Sequence, residues 1–251
     1  MPDEVNILCL KWGTRYPAHY VNRLYNSVKR HLAIPFRFHC CTEDPGGIDG
    51  NVNIIPFPPD PELPGRGWPD ILVKLVITAD GFGNLQGPTL FLDLDIIITG
   101  NMAGFFTYHP GENCIIHNWV SARKLLFRDK PKVGNSSVFR FEAGKSDYIY
   151  QTFLREKARA ADFKIFNTEQ AFLTYAMKEC VWWPDQWVRS FKFHCRRTFP
   201  LNYFIPPKLP EGCLILAFHG KPDPDEAIVG FTGKRPNHKT LPAPWINDHW
   251  K

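Results

Sequence analysis

The sequence predicts a single α/β domain. Three observations carry that expectation. A short apolar run, Val5 to Leu10, is followed by a helical periodicity and then a second apolar run. Strand-like and helix-like segments keep alternating further along the chain. And 251 residues with 44% hydrophobic content suffice for one core but fall short of two generous ones.

Val5 to Leu10 has the composition of a buried strand, and Gly13 and Pro17 in KWGTRYPAH mark a turn after it. Ala18, Val21, Leu24, Tyr25, Val28 and Leu32 recur at spacings of three and four, one face of a helix. Strands follow at Phe36 to Cys41 and Val52 to Pro56, so the chain opens as a βαβ unit. Residues 56–70 hold six prolines and two glycines and cannot form a regular element. A loop of that length, with Trp68 beside Gly67, is expected to fold over something. Ile71 to Thr78 resumes a helical pattern with Lys74 inside it, and TLFLDLDIIITGN reads as the next strand. Strands are then expected at Asn113 to His117 and Ser136 to Phe141, and helices near Ser146 to Lys157 and Thr168 to Lys178. A last strand, Cys213 to Phe218, runs into HGKPDPDEA, and the Pro- and Trp-rich tail 235–251 is expected to wrap the surface.

Lys and Arg number 30 against 25 Asp and Glu, a net charge of +5. The basic residues are scattered, apart from Arg189, Lys192, Arg196 and Arg197, and no nucleic-acid-binding motif accompanies them, so a nucleic-acid partner is not expected. The seven cysteines are odd in number and include no CxxC pair, which argues against a disulfide framework or a zinc ribbon. The start MPDEVNILCLKWG places acids before a short apolar run, unlike a signal peptide. No apolar stretch approaches the roughly 20 residues of a membrane span. A cytoplasmic protein is the expectation, with peripheral membrane contact left open.

The chemistry centres on FLDLD. Residues two apart in a strand share a face, so Asp93 and Asp95 are expected to project together. Two carboxylates in an apolar frame repel and lose hydration, and a divalent cation compensates both. The competing account is capping or salt-bridged carboxylates. A second DxD, Asp223 and Asp225, sits in a Pro-rich turn where a solvated loop explains it. His219 follows CLILAF at a strand end, where ligands collect in open α/β sheets, although a lone histidine is usually structural. An Asp, Asp, His set suits Mn²⁺ better than Mg²⁺. Lys221 could then neutralise a phosphate, or be an ordinary exposed lysine. In NTEQ, Asn167 as N-cap, Gln170 three residues on and Glu169 in the first turn form a capping arrangement that fully accounts for all three. The cluster from Trp182 to Arg196 reads equally as an acceptor surface or as an aromatic subcore overlaid by Lys and Arg stems.

LCLKWGTRY, Lys74, FLDLDIIITGN, VGNSSVFRF, TEQAFLTY and AFHGKP, in this order over roughly residues 5–222, resemble the retaining GT-A glycosyltransferases of the glycogenin-like and lipopolysaccharide-galactosyltransferase-like group. The resemblance implies a Rossmann-like mixed sheet flanked by helices, a single domain over 1–251, and a metal-dependent hexosyltransferase. It implies transfer from a nucleotide sugar, usually UDP-linked, to an acceptor hydroxyl with retention. By the same resemblance Asp93, Asp95 and His219 are metal ligands for Mn²⁺ or Mg²⁺. Lys221 contacts the diphosphate, Tyr16 the nucleobase, Lys74 lies near the donor, and Asn135 and Ser136 meet the donor sugar. Glu169 and Gln170 stand near the reacting carbon. The run HGKP is more compact than the family's motif, Ser137 replaces a common glycine, and Glu169 replaces an aspartate. Two rivals are a catalytically silent nucleotide-sugar-binding scaffold of the same fold and a sugar-phosphate nucleotidyltransferase. The latter is disfavoured by the single glycine after the first strand.

Overall fold

A computed structural model describes residues 3–58, 71–120 and 132–251, apart from the side chains of residues 71 and 73. The expectation for the proline-rich segment after Pro58, including Trp68, lies outside the described residues. The first strand, β1 (Val5–Lys11), is buried along its whole length, as a continuous apolar run requires when both faces of a sheet are covered. Helix α1 (Ala18–His31) crosses back over the sheet and buries Val21, Leu24, Tyr25 and Val28 of the predicted stripe, with Tyr20 and Ser27 beside them, while Ala18 is half-buried. It delivers the chain to β2 (Phe36–Thr42), parallel to β1, and β3 (Asn53–Ile55) pairs parallel with β2.

A helical segment of 3₁₀ type, Ile71–Thr78, leads into β4 (Gly87–Leu92), parallel to β1 on its other side. The sheet continues with β6 (Cys114–His117), β7 (Gly134–Ala143) and β8 (Val181–Trp182) in the order β3-β2-β1-β4-β7-β6-β8. Strand β7 runs antiparallel to both β4 and β6, so the sheet is mixed. A second sheet joins β5 (Ile96–Ile98), β10 (Ile215–Ala217) and β9 (Val188–Ser190) in the order β5-β10-β9. One core lies between the large sheet and α1 with the small sheet. The other lies under Ile71–Thr78, α3 (Asp147–Arg155) and α5 (Glu169–Ala176), with α2 (Gly104–Thr107) and α4 (Lys157–Ala161) between them in sequence.

Three expectations change. The run TLFLDLDIIITGN is two strands in different sheets, because the chain turns at Asp93 to Asp95. The second DxD is no solvated loop: Asp223 is 7% exposed and forms a capping box with Glu226 at the start of α6 (Pro224–Val229), while Asp225 accepts from the Tyr20 hydroxyl at 2.9 Å. The tail does more than wrap the surface: Ala243, Ile246 and Trp250 are buried, and α7 (Ile246–His249) brings Trp250 edge-on to Tyr20. The 182–196 cluster divides. Trp183 and Phe191 are core, and Trp187 packs against Phe105 and Tyr108.

Arg140 on β7 is fully buried without a carboxylate partner among the described residues. Its guanidinium donates to the carbonyls of Phe105 (2.6 Å), Tyr108 (2.9 Å), Glu112 (2.9 Å) and His109, which end α2 and the turn after it. Carbonyl dipoles at a helix C-terminus stabilise a cation there, and five fixed donors match several acceptors at once. Arg140→Met leaves those carbonyls unsatisfied and is expected to lower the unfolding free energy by about 3 kcal/mol or more, read by urea denaturation. Arg140→Lys is expected to restore only a minor part, since one ammonium cannot span the set.

His39, buried on β2 beside the Asn6 side chain at 3.2 Å, is held at about 4 by burial and then by Arg37, below the ordinary 6.5. A depressed folded value contributes stability above the unfolded value that is lost as pH falls. The stability of the protein relative to His39→Gln is therefore expected to fall as pH goes from about 6.5 to about 4, read as the difference between their urea midpoints.

Candidate functional site

The parallel strands β1 and β4 deliver their C-terminal ends to one side of the sheet, where ligands collect in open α/β folds. A cavity of about 270 Å³ opens there, lined by Arg15, Tyr16, Lys74, Asp93, Asp95 and Glu169 over an apolar base of Leu10, Trp12 and Leu94. Five of the ten residues singled out in the sequence are in it.

The DxD turn is pinned by its backbone at both ends. The Asp93 amide donates to the Ser137 carbonyl at 2.9 Å, tying it to β7, and the Phe218 amide donates to the Asp95 carbonyl at 3.0 Å, tying it to the strand after it in the other sheet. The turn gives the two carboxylates different partners. Lys74 ion-pairs with Asp93 at 2.7 Å, and the Tyr16 hydroxyl donates to Asp95 at 2.9 Å. Burial, and then the Asp93 carboxylate, push Asp95 up to about 7. Burial and then Asp95 also raise Tyr16 above the ordinary tyrosine value, keeping its proton in place to donate.

Lys74 also approaches the Ser136 carbonyl and hydroxyl, each at 3.4 Å, and the Ser136 hydroxyl donates to Glu169 at 2.8 Å. Burial works against the Lys74 charge, but Asp93 and Glu169 outweigh it and hold the ammonium above the ordinary lysine value. Glu169 is 7% exposed and is raised to about 7 by burial, against the opposing pull of Lys74 and Ser136. Its Oε1 is buried with no hydrogen-bond partner among the described residues. Asn135 donates to Gln170 at 3.1 Å, so consecutive residues at the start of β7 hold consecutive residues at the start of α5. The N-cap of α5 is Thr168, accepting from the Ala171 amide, rather than Asn167. Capping thus accounts for Thr168 and leaves Glu169 to the cavity.

His219 and Lys221 are not brought in. The His219 ring lies 2.7 Å from the Ser190 hydroxyl and is stacked against Trp119, and burial, then Lys192, Arg196 and His194, hold it at about 4. Lys221 pairs with Asp223 and Glu226, each at 2.8 Å, and Asp223 also pairs with Arg15 at 3.2 Å. Among the described residues no three His, Cys, Asp or Glu side chains converge as a metal centre. The donor chemistry of Asp93 and Asp95 still suits a hard divalent cation, because a buried carboxyl raised by burial and then by its half-buried neighbour gains from a positive charge between the two. His219 joins such a set only by leaving Ser190. Arg15 escaped the sequence reading; its guanidinium lies over the Tyr16 ring at 4.8 Å, and an Arg-Tyr dipeptide in a turn carries little signal by itself.

No protein-family model matches the sequence, and no curated protein matches it. Solved structures do match in fold. The galactosyltransferase LgtC, in complex with donor and acceptor sugar analogs, aligns over 87% of this chain and 88% of its own at 12% identity and a TM-score of 0.57. The bifunctional glycosyltransferase WbbM aligns at 12% identity and a TM-score of 0.59 over 89% of this chain, which spans 47% of WbbM. GlyE of Streptococcus pneumoniae TIGR4 aligns at 15% identity and a TM-score of 0.55, over 87% of this chain and 56% of its own. The fold is that of the GT-A glycosyltransferases.

One ammonium among the buried carboxylates of Asp95 and Glu169 and the half-buried one of Asp93 sets a stability test. Lys74→Gln is expected to lower stability at pH 7 by about 3 kcal/mol, the range for breaking a buried pair. Carboxylates raised in the folded state lose stability as pH rises through the folded value, so the variant's deficit is expected to shrink from pH 7 towards pH 4. A deficit independent of pH in urea melts contradicts this charge balance.

Proposed function

We propose that the protein is a glycosyltransferase that moves a sugar from a nucleotide diphosphate sugar, of the UDP class, to an acceptor hydroxyl. One observation carries the reading: the cavity at the C-terminal strand ends of a glycosyltransferase fold is lined by Asp93, Asp95 and Glu169 around a single ammonium, that of Lys74. That LgtC of the same fold is described with donor and acceptor sugar analogs supports it.

Tyr16 offers an aromatic face to the nucleobase while its hydroxyl holds Asp95. Asp93 and Asp95 are the residues that would hold Mn²⁺ or Mg²⁺, which when bound supplies positive charge for the diphosphate. Arg15 carries cationic charge in that cavity and Lys221 is joined to it through Asp223 outside it, and a diphosphate competes for them with Asp223 and Glu226. In transfer, the bond between the anomeric carbon and the phosphate oxygen breaks and its electron pair stays with the diphosphate. The acceptor oxygen bonds the anomeric carbon, and its proton leaves with the diphosphate. Retention, with the acceptor entering on the departing face, rests on the resemblance in motifs. Glu169, poised near neutrality, accepts a hydrogen bond from a sugar hydroxyl when ionised and donates one when protonated, so it orients the donor sugar. Ser136 and Asn135 fix Glu169 and Gln170 for that task.

Calorimetry with UDP and Mn²⁺ is expected to show binding that Asp95→Ala abolishes; unchanged affinity removes the metal role. Glu169→Gln is expected to keep UDP affinity and lower turnover of a UDP-sugar about 100-fold, the scale of a lost positioning group. A panel of UDP-sugars separates enzyme from scaffold: slow hydrolysis of one donor supports the enzyme, and saturable binding without turnover supports the silent homologue.

A further inference from the structure

We propose that the open groove along α5 is the seat of an anionic saccharide, the acceptor whose hydroxyl takes the sugar; this rests on the reading above. The groove, about 810 Å³, lies on the outer side of α5 between that helix and the edge strand β8. Lys132, Lys164 and Lys178 line it against one carboxylate, Glu179. Among the described residues none of the three lysines is in an ion pair, whereas Lys11, Lys74 and Lys221 are. Three ammonium groups around a hollow call for an anion, and the compact ammonium suits a carboxylate or phosphate as a point charge.

The rest of the lining selects a sugar. Phe166, Tyr175 and Trp182 contribute aromatic surface, with the Arg159 guanidinium 5.4 and 4.9 Å from the centres of the first two rings, and Tyr175 is 41% exposed. The Trp182 indole is held by stacking on His117 at 3.8 Å and 13°, so it is ordered before any ligand arrives. Aromatic faces with apolar bodies pack on the C–H faces of pyranose rings, and a groove lined by both such faces and ammonium groups matches a chain that carries both rings and charges.

Position ties the groove to transfer. Asn167 lines the groove, and Glu169, two residues on in the chain, lines the cavity. Three successive residues of β7 bind α5 along that passage: the Gly134 amide donates to Thr174 at 2.9 Å, Asn135 to Gln170 and Ser136 to Glu169. Groove and cavity share this wall, so a chain lying in the groove can present its end to the donor side.

Cys180 supplies a readout independent of activity. It lines the groove and is partly exposed, while the other six cysteines are buried. Burial raises its thiol to about 11, so maleimide labelling is slow enough to follow at pH 8. The probes are an oligogalacturonate hexamer, a phosphorylated maltohexaose and unmodified maltohexaose, with oligo(dT) as a polyanion that is not a saccharide. One or both anionic saccharides are expected to slow Cys180 labelling and to bind in calorimetry with salt-sensitive affinity; which of them does identifies carboxylate or phosphate. The triple variant K132Q/K164Q/K178Q is expected to weaken that binding about ten-fold or more while leaving UDP affinity unchanged. If the triple variant does not fold, Lys164→Gln alone is expected to shift affinity and salt dependence in the same direction. Equal binding of maltohexaose, tighter protection by oligo(dT), absence of protection by every saccharide, or unaltered affinity in the variants overturns the inference. Failure here with UDP binding intact sinks only the acceptor class; absence of UDP binding with groove binding intact sinks the transferase reading instead.

Discussion

The contact between Lys74 and Asp93 is the constraint from which the site follows. Asp93, Asp95 and Glu169 are gathered where water is scarce, and burial of ionised carboxylates is affordable only with opposite charge at hand. A single ammonium, 2.7 Å from Asp93 and bonded onward to Ser136, answers part of that demand. The remainder appears as two carboxyl groups held at about 7, Asp95 and Glu169. A cavity left short of positive charge in this way favours ligands that arrive with cations, and it disfavours bare anions.

The same few residues serve the architecture. The turn at Asp93 to Asp95 is where the chain leaves the large sheet for the small one, and its backbone is bonded to β7 on one side and to Phe218 on the other. Fold and site therefore share a joint: the backbone hydrogen bonds that fix the turn to each sheet also place the two carboxylates. The short polar links from Asn135 and Ser136 to Gln170 and Glu169 extend this stiffness to α5. Rigid elements place charged groups more narrowly than loops do, and narrow placement is what a group-transfer site requires.

Much of this was legible in the chain itself. The stripe from Val21 to Val28, the apolar β1 and the carboxylates of FLDLD announce a sheet with charge at its end, because periodicity and an out-of-place charge are local signals. Tyr16, Lys74, Asp93, Asp95 and Glu169 were all named from sequence and all line one cavity. What was not legible depends on pairing at long range. Nothing in IIIT says that β5 belongs to another sheet, and the two-residue β8 has no periodicity to read. His219 lies at a strand end as expected, yet its ring takes Ser190 as partner, a choice set by β9 packing beside β10. Asp223, Pro224 and Glu226 spell a capping box that is local in the sequence, whereas the ion pair of Asp223 with Arg15 exists only once the chain is folded.

The tail offers a consequence of a different kind. Trp250 packs edge-on against Tyr20 with Arg23 over its ring, and Arg30 grips the carbonyls of His249 and Lys251. Tyr20 in turn holds Asp225, in the segment that carries Lys221 and faces Arg15 across Asp223. The last turn of the chain is thus a keystone for the strap beside the cavity, set far from it in sequence. A change of side chain at Trp250 therefore reaches that strap through two aromatic rings, its own and that of Tyr20.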